Sequence, residues 1–239
     1  MRTIKLIALL LATGAIFQSV ALQAARSIDG RQVRQLSGFH GISVSSGIDL
    51  ILTQKNVEEV AVEAESEDLD KIITKVEDGI LKIYMKDKSW FGASWNKKSQ
   101  KVFVSFKSLD KLHASAGSDV SSQSVLKFDK LDLEVSSGSD VKFELEANEL
   151  RVESSSGSDV SLNGKAAVAE VSASSGSDIS AGDLETKKCT ASVSSGSDIN
   201  IKVTEELNAN ASSGGDISYS GNPKVKNIRK SSGGDVNGR

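Results

Sequence analysis

One returning phrase constrains this chain more than any other feature. It reads Ser136-Ser137-Gly138-Ser139-Asp140-Val141 and recurs at Ser155 to Val160, Ser174 to Ile179, Ser194 to Ile199, Ser212 to Ile217 and Ser231 to Val236, with looser copies at Ser115 to Val120 and Ser45 to Leu50. Its glycines are Gly47, Gly117, Gly138, Gly157, Gly176, Gly196, Gly214 and Gly233, and after the first interval they step by 21, 19, 19, 20, 18 and 19 residues. A fixed period near twenty marks stacked units that bury their apolar face only against the next copy.

Within each copy, apolar or small residues fall seven, five and three places before the glycine and three and five places after it. For Gly138 these are Leu131, Leu133, Val135, Val141 and Phe143; for Gly196 they are Cys189, Ala191, Val193, Ile199 and Ile201. Period-two alternation predicts two half-buried strands per copy. The glycine between them marks a corner needing unusual torsion or close approach. The expected fold is all-β: a parallel β-helix, or β-solenoid, of about 19 to 20 residues per coil. At about 4.8 Å between strands, seven coils make a rod of about 30 Å. In the copy of Gly176 the inward row thins to Ala169, Val171, Ala173, Ile179 and Ala181, and near the end Lys226 and Lys230 replace apolar positions, as suits a terminal coil.

Ahead of the repeats the text is less regular. Residues 1–24 carry Arg2 and Lys5, an apolar run from Leu6 to Phe17 and small residues at Ala21, Ala24 and Ala25, the layout of a signal peptide. Cleavage after Ala24 or Ala25 is expected, which leaves no membrane span. No cysteine follows the run to carry a lipid. Residues 25–35 read as a linker, 36–108 as an irregular N-terminal β segment or cap, and 109–239 as regular repeats. A short helix is expected from Ser66 through Ile73, with Ser66 as cap, and Asp78-Gly79 as a hairpin turn.

The formal net charge is -3 with cations dispersed along the chain, which excludes a basic nucleic-acid footprint. The lone Cys189 falls at the repeat position of Leu131, Leu150 and Leu207, so it reads as a buried, inert thiol.

Two features invite a functional reading. The first is an aspartate column: Asp119, Asp140, Asp159, Asp178, Asp198, Asp216 and Asp235 stack about 5 Å apart in a solenoid. Like charges that close repel unless bonded or bridged. Either each carboxylate accepts backbone N–H groups at its own corner while the serines form ladders, or calcium sits between coils, although one carboxylate per coil supplies few of its six to eight oxygens. The second feature is the loop from Lys86 to Gln100, which interrupts the pattern and holds Trp90, Phe91 and Trp95. These aromatics either stack on sugars or a protein partner, or fold back as a lid. His40 and His113 belong to no metal-spaced pair or nucleophile motif, and an identically repeated carboxylate row marks periodic structure more than a unique catalytic pair.

The stretch Gly38 to Leu50, the segment Leu69 to Glu77, then Asp78-Gly79-Ile80-Leu81-Lys82-Ile83 and the Ser-Ser-Gly-Ser-Asp-Val repeats together resemble the "putative auto-transporter adhesin, head GIN domain" family, over roughly residues 36–238. The resemblance implies an exported bacterial β-solenoid and supplies no catalytic residues. The leading expectation is an exported, non-enzymatic solenoid, adhesin-like, that binds a surface glycan or protein. The alternatives are a polysaccharide-acting β-helix enzyme and a purely structural envelope component whose solenoids pack laterally or end to end as a homo-oligomer.

Overall fold

The computed structural model describes residues 27–28, 30–86 and 100–239. The described residues form one 18-stranded sheet wound into a β-solenoid of about seven turns. The chain opens with β1 (Ser27–Ile28), β2 (Arg31–Arg34), β3 (Gly41–Val44), β4 (Ile48–Gln54) and β5 (Glu59–Glu63), then the single helical turn α1 (Ser66–Leu69). β6 (Ile72–Glu77), β7 (Ile80–Met85), β8 (Gln100–Phe106), β9 (Lys111–Ala114) and β10 (Asp119–Ser122) follow. The long strands β11 (Leu126–Ser136), β12 (Asp140–Ser155), β13 (Asp159–Ser174), β14 (Asp178–Val193) and β15 (Asp198–Ala211) carry the regular coils, and β16 (Asp216–Ser220), β17 (Val225–Lys230) and β18 (Asp235–Gly238) end the stack.

Each coil has one leg after the glycine corner and one leg before the next. The legs pair in parallel with their counterparts, so Val120, Val141, Val160, Ile179, Ile199, Ile217 and Val236 form one inward row. All seven are buried. On the other leg Leu131, Leu150, Ala169, Cys189 and Leu207 align. Cys189 is buried as its repeat position predicts, and burial pushes its thiol up to about 12.

The corners show which of glycine's two properties is used. Gly138 has φ +68°, and a Cβ built there would meet nothing within 4 Å. The demand is therefore torsional. The preceding serine shares it: Ser137 has φ 58°, and Ser156, Ser175 and Ser195 each have φ 59°. Consecutive left-handed residues turn the chain sharply while the inter-coil ladder runs on, with Gly138 N–H donating to Ser156 O and Asp140 N–H to Ser118 O.

The serine after the glycine, which alternation alone does not place, belongs to the core. Ser118, Ser139, Ser158, Ser177 and Ser197 are fully buried. Ser158 Oγ donates to Val135 O at 3.0 Å and Ser155 O at 2.8 Å, and Ser177 Oγ likewise bonds Ser154 O and Ser174 O. Burying these hydroxyls is tolerable because each finds a backbone partner: Ser118, Ser139 and Ser197 accept the N–H groups of Ile48, Ser118 and Ser177. In the last two copies glycine replaces this serine; at Gly234 a Cβ would lie 2.5 Å from the Ala211 carbonyl carbon, so that corner has no room for one.

The N-terminal end is closed by strands that run against the stack. β5 pairs antiparallel with β8 and with β2, and β6 antiparallel with β7. Arg34 of β2 crosses this end, donating to Leu69 O at 2.7 Å, Ile72 O at 2.5 Å and Thr74 Oγ1 at 2.9 Å. The segment expected to be a linker, 25–35, thus contains two short strands and the residue that ties the cap. The helix is shorter than its spacing suggested. It starts from Glu65 with no side-chain cap bond, and Ile72 and Ile73 belong to β6, because pairing with Met85 and Tyr84 outweighs their helical spacing. The hairpin turn falls at Asp78 and Gly79 as expected, both at positive φ.

Candidate functional site

The aspartate column is in register. Asp119, Asp140, Asp159, Asp178, Asp198, Asp216 and Asp235 pair successively along the stack. Asp49 extends it at the N-terminal side, close enough to act on Asp119. Partial burial first, and like-charged neighbours second, raise the carboxyls of Asp119, Asp159 and Asp198 above the usual aspartate range. At the far end Asp235 is held below that range by its hydrogen bond to Lys230, 2.5 Å away, and by Asn237 and the Val236 N–H.

The carboxylates bond chiefly between coils. Asp178 Oδ1 accepts the Asp198 N–H at 3.2 Å, and Asp159 and Asp198 accept N–H groups of Asp178 and Asp216. The corner bonding expected of the sequence thus joins each corner to the next one. A column in single file sets two carboxylates around any interval, and among the described residues no group of three metal-ligating side chains converges. That geometry falls short of the six to eight oxygens calcium prefers.

Other outward columns alternate in sign. Lys127, Glu146, Lys165, Glu185 and Lys202 align, with Lys127–Glu146 at 3.0 Å and Lys202–Glu185 at 3.4 Å. Lys111, Asp132, Arg151 and Glu170 form a second such ladder, in which Arg151 meets Asp132 at 3.2 Å and also binds Glu153. At the corner the chain stacks one sign through seven successive coils.

The outer face of the leg before the corner carries a shallow trough of about 810 Å³, lined by Thr190, Ser192, Asn208, Asn210, Asn227 and Arg229 among others. A smaller concavity of about 460 Å³ adjoins it through Ser192 and Asn210 and adds Ser172, Ser174, Ser194 and Ser212. The lining is mostly hydroxyls and amides at strand spacing. Sequence reasoning missed this face, because only the register brings residues eighteen to twenty positions apart side by side.

Trp90, Phe91 and Trp95 lie outside the described residues. They fall in sequence between β7, which ends at Met85, and Gln100, whose side chain donates to Asp68 Oδ2 at 3.4 Å. His40 and His113 stand on neighbouring coils but are offset along the paired strands, Gly41 facing Lys111 and Ser43 facing His113. His40 is exposed and bonds Asp110 at 2.8 Å. His113 Nδ1 stands 3.4 Å from a Glu134 carboxylate oxygen without hydrogen-bond geometry. Neither is joined to a nucleophilic side chain among the described residues.

Solved structures share the fold. One described as a putative adhesin from Bacteroides fragilis NCTC 9343 superposes with a TM-score of 0.81 at 24% identity, covering 87% of this chain and 96% of that one. A putative adhesin from Parabacteroides merdae ATCC 43184 gives 0.68 at 19% identity, covering 87% and 95%. A protein from Parabacteroides distasonis ATCC 8503 described as a putative lipid binding protein gives 0.66 at 21%, covering 87% and 96%. No curated protein matches the sequence. The model of the family described as "Putative auto-transporter adhesin, head GIN domain" matches residues 38–223, and the chain belongs to that family.

Proposed function

We propose that this protein is an exported, non-enzymatic, adhesin-like solenoid that presents its lateral face to a glycan or protein at the cell surface or envelope. The observation that carries this reading is the trough along Thr190, Ser192, Asn208 and Asn210. Pockets for small molecules are mainly apolar with a few fixed polar groups. A shallow array of hydroxyls and amides suits a hydrated, hydroxyl-rich polymer instead. Export is supported by the basic start, the apolar run and the small residues of positions 1–25. No helix of the described residues is long and apolar enough to cross a membrane. Absence of catalysis is supported by the repetition itself, since identical corners build no unique constellation.

The test is a glycan array with the purified protein, repeated with Asn208→Ala/Asn210→Ala and with Trp90→Ala/Trp95→Ala. Loss in the first variant places binding on the trough; loss in the second places it on the interrupting loop. Binding that survives both, or no binding to any glycan or extracted surface protein, overturns the proposal. Fractionation of cells expressing a tagged chain checks export, and retention in the cytoplasm contradicts it.

A further inference from the structure

The two ends of the solenoid are unlike, and their differences match. At the C-terminal end the outer edges of β17 and β18 pair with no strand among the described residues. Such an edge offers unladdered N–H and C=O groups. Every residue of β17 is exposed, and Val225 and Ile228 are bare hydrophobics at 48% and 40%. Lys226 and Lys230 sit at the inward register positions of Leu207 and Ala211, so this end closes the apolar core with cations. Among the described residues Lys224, Lys226, Arg229 and Arg239 have no ion-pair partner.

At the opposite end the connection from β5 to β6 presents Glu63, Glu65, Glu67 and Asp70, all exposed. The three glutamates have no ion-pair partner among the described residues. Between the ends, Lys127–Glu146, Lys188–Glu206 and Lys202–Glu185 set opposite charges against each other across turns, beside the single-sign aspartate column. Exposed charge is thus opposite in sign on these two segments, basic along β17 and acidic on the β5–β6 connection.

We infer that a second copy of this chain docks its acidic N-terminal cap on the basic open edge of the first. Two C-terminal ends repel through the same lysines that guard an edge against pairing with its own kind. Unlike ends attract. A head-to-tail contact of this kind does not close, so it propagates as a filament. In it Val225 and Ile228 are covered, and the free edges of β17 and β18 gain partners. Lys226, Ile228 and Arg229 also line one end of the trough, so self-docking and a ligand there would compete for that edge, and sedimentation of the purified protein without glycan reads the assembly by itself.

Sedimentation velocity across protein concentration and salt tests it. The expected result is an open series of dimers, trimers and longer species at low ionic strength that dissociates as salt rises. Lys224→Glu/Lys226→Glu/Arg229→Glu turns the basic edge acidic, and Glu63→Lys/Glu65→Lys/Glu67→Lys turns the acidic cap basic. Each variant alone is expected to stay monomeric, with an unchanged circular dichroism spectrum. Mixing the two is expected to restore growth as an alternating chain. A monomer at every concentration in low salt overturns the inference. So does a dimer that never grows, which signals a closed contact, or assembly indifferent to either charge reversal.

Discussion

Replacing Asp159 by asparagine removes one charge from the middle of the aspartate column and keeps the oxygen that accepts the Asp178 N–H. Two unit charges about 5 Å apart in water repel by about 0.8 kcal/mol. Asp159 is exposed, so solvent screening applies in full. At physiological ionic strength, with a Debye length of about 8 Å, each repulsion falls by about half. Asp159 has two such neighbours, Asp140 and Asp178, so the substitution is expected to stabilise the fold by about 1 kcal/mol. For a chain of this size that raises the melting midpoint by about 2–4 °C. The gain should shrink to a few tenths of a kcal/mol near 1 M salt, where the Debye length is about 3 Å. Thermal melts of both proteins at low and high salt measure it. An Asp159→Asn midpoint below the parent's, or a gain that salt leaves untouched, refutes the electrostatic account. The pH dependence carries the same sign. Asp119, Asp159 and Asp198 have raised carboxyls, so the folded chain takes up their protons before the unfolded one does. Their contribution to stability therefore grows as pH falls from neutral toward the ordinary aspartate range. Asp235 runs the other way: its lowered value gives stability above the ordinary range that is lost as pH falls through the folded value.

Other expectations follow from single corners. A chelator should leave the thermal midpoint unchanged, and a drop restored by calcium would show that the column recruits further oxygens. Ser158→Ala removes a buried hydroxyl that donates to Val135 O and Ser155 O, and should cost about 1–3 kcal/mol in a denaturant titration. Gly138→Ala meets open space but a left-handed φ, so its cost should stay at about 1–2 kcal/mol; Gly234→Ala, blocked by the Ala211 backbone, should cost more than Gly138→Ala. Cys189 should resist alkylation at pH 8 in the folded protein and react on unfolding, in keeping with its raised thiol.

The regular coils were legible because each inward position is filled by an apolar or small residue at a constant offset from the glycine, as Leu131, Leu133, Val135, Val141 and Phe143 show. The stacking of the aspartates followed from the same ruler. The buried serines were not legible, since Ser139 and Ser158 are polar residues whose burial depends on backbone groups of the preceding coil, the Ser118 N–H and the Val135 carbonyl. Nor was the cap. Arg34 looks like one more charge in a short polar segment, and its role arises only from the three groups it meets across the end. Ile72 and Ile73 were drawn toward a helix by their spacing, but their hairpin partners Met85 and Tyr84 decided their state. The trough escaped notice for a related reason: Ser192 and Asn210 are unremarkable singly, and their common surface is a product of register.

The alternating ladders also limit how the stack can change length. Lys127, Glu146, Lys165, Glu185 and Lys202 form a sequence of signs with a period of two coils. Excising one coil, such as the one bearing Glu146, would set Lys127 directly against Lys165 and turn an attraction into a repulsion. Excising two adjacent coils would leave every remaining neighbour opposite in sign. The apolar row after the corner and the aspartates are indifferent to this count, because they repeat at every turn. For this ladder, the smallest unit by which the rod lengthens or shortens without setting like charges together is therefore a pair of turns.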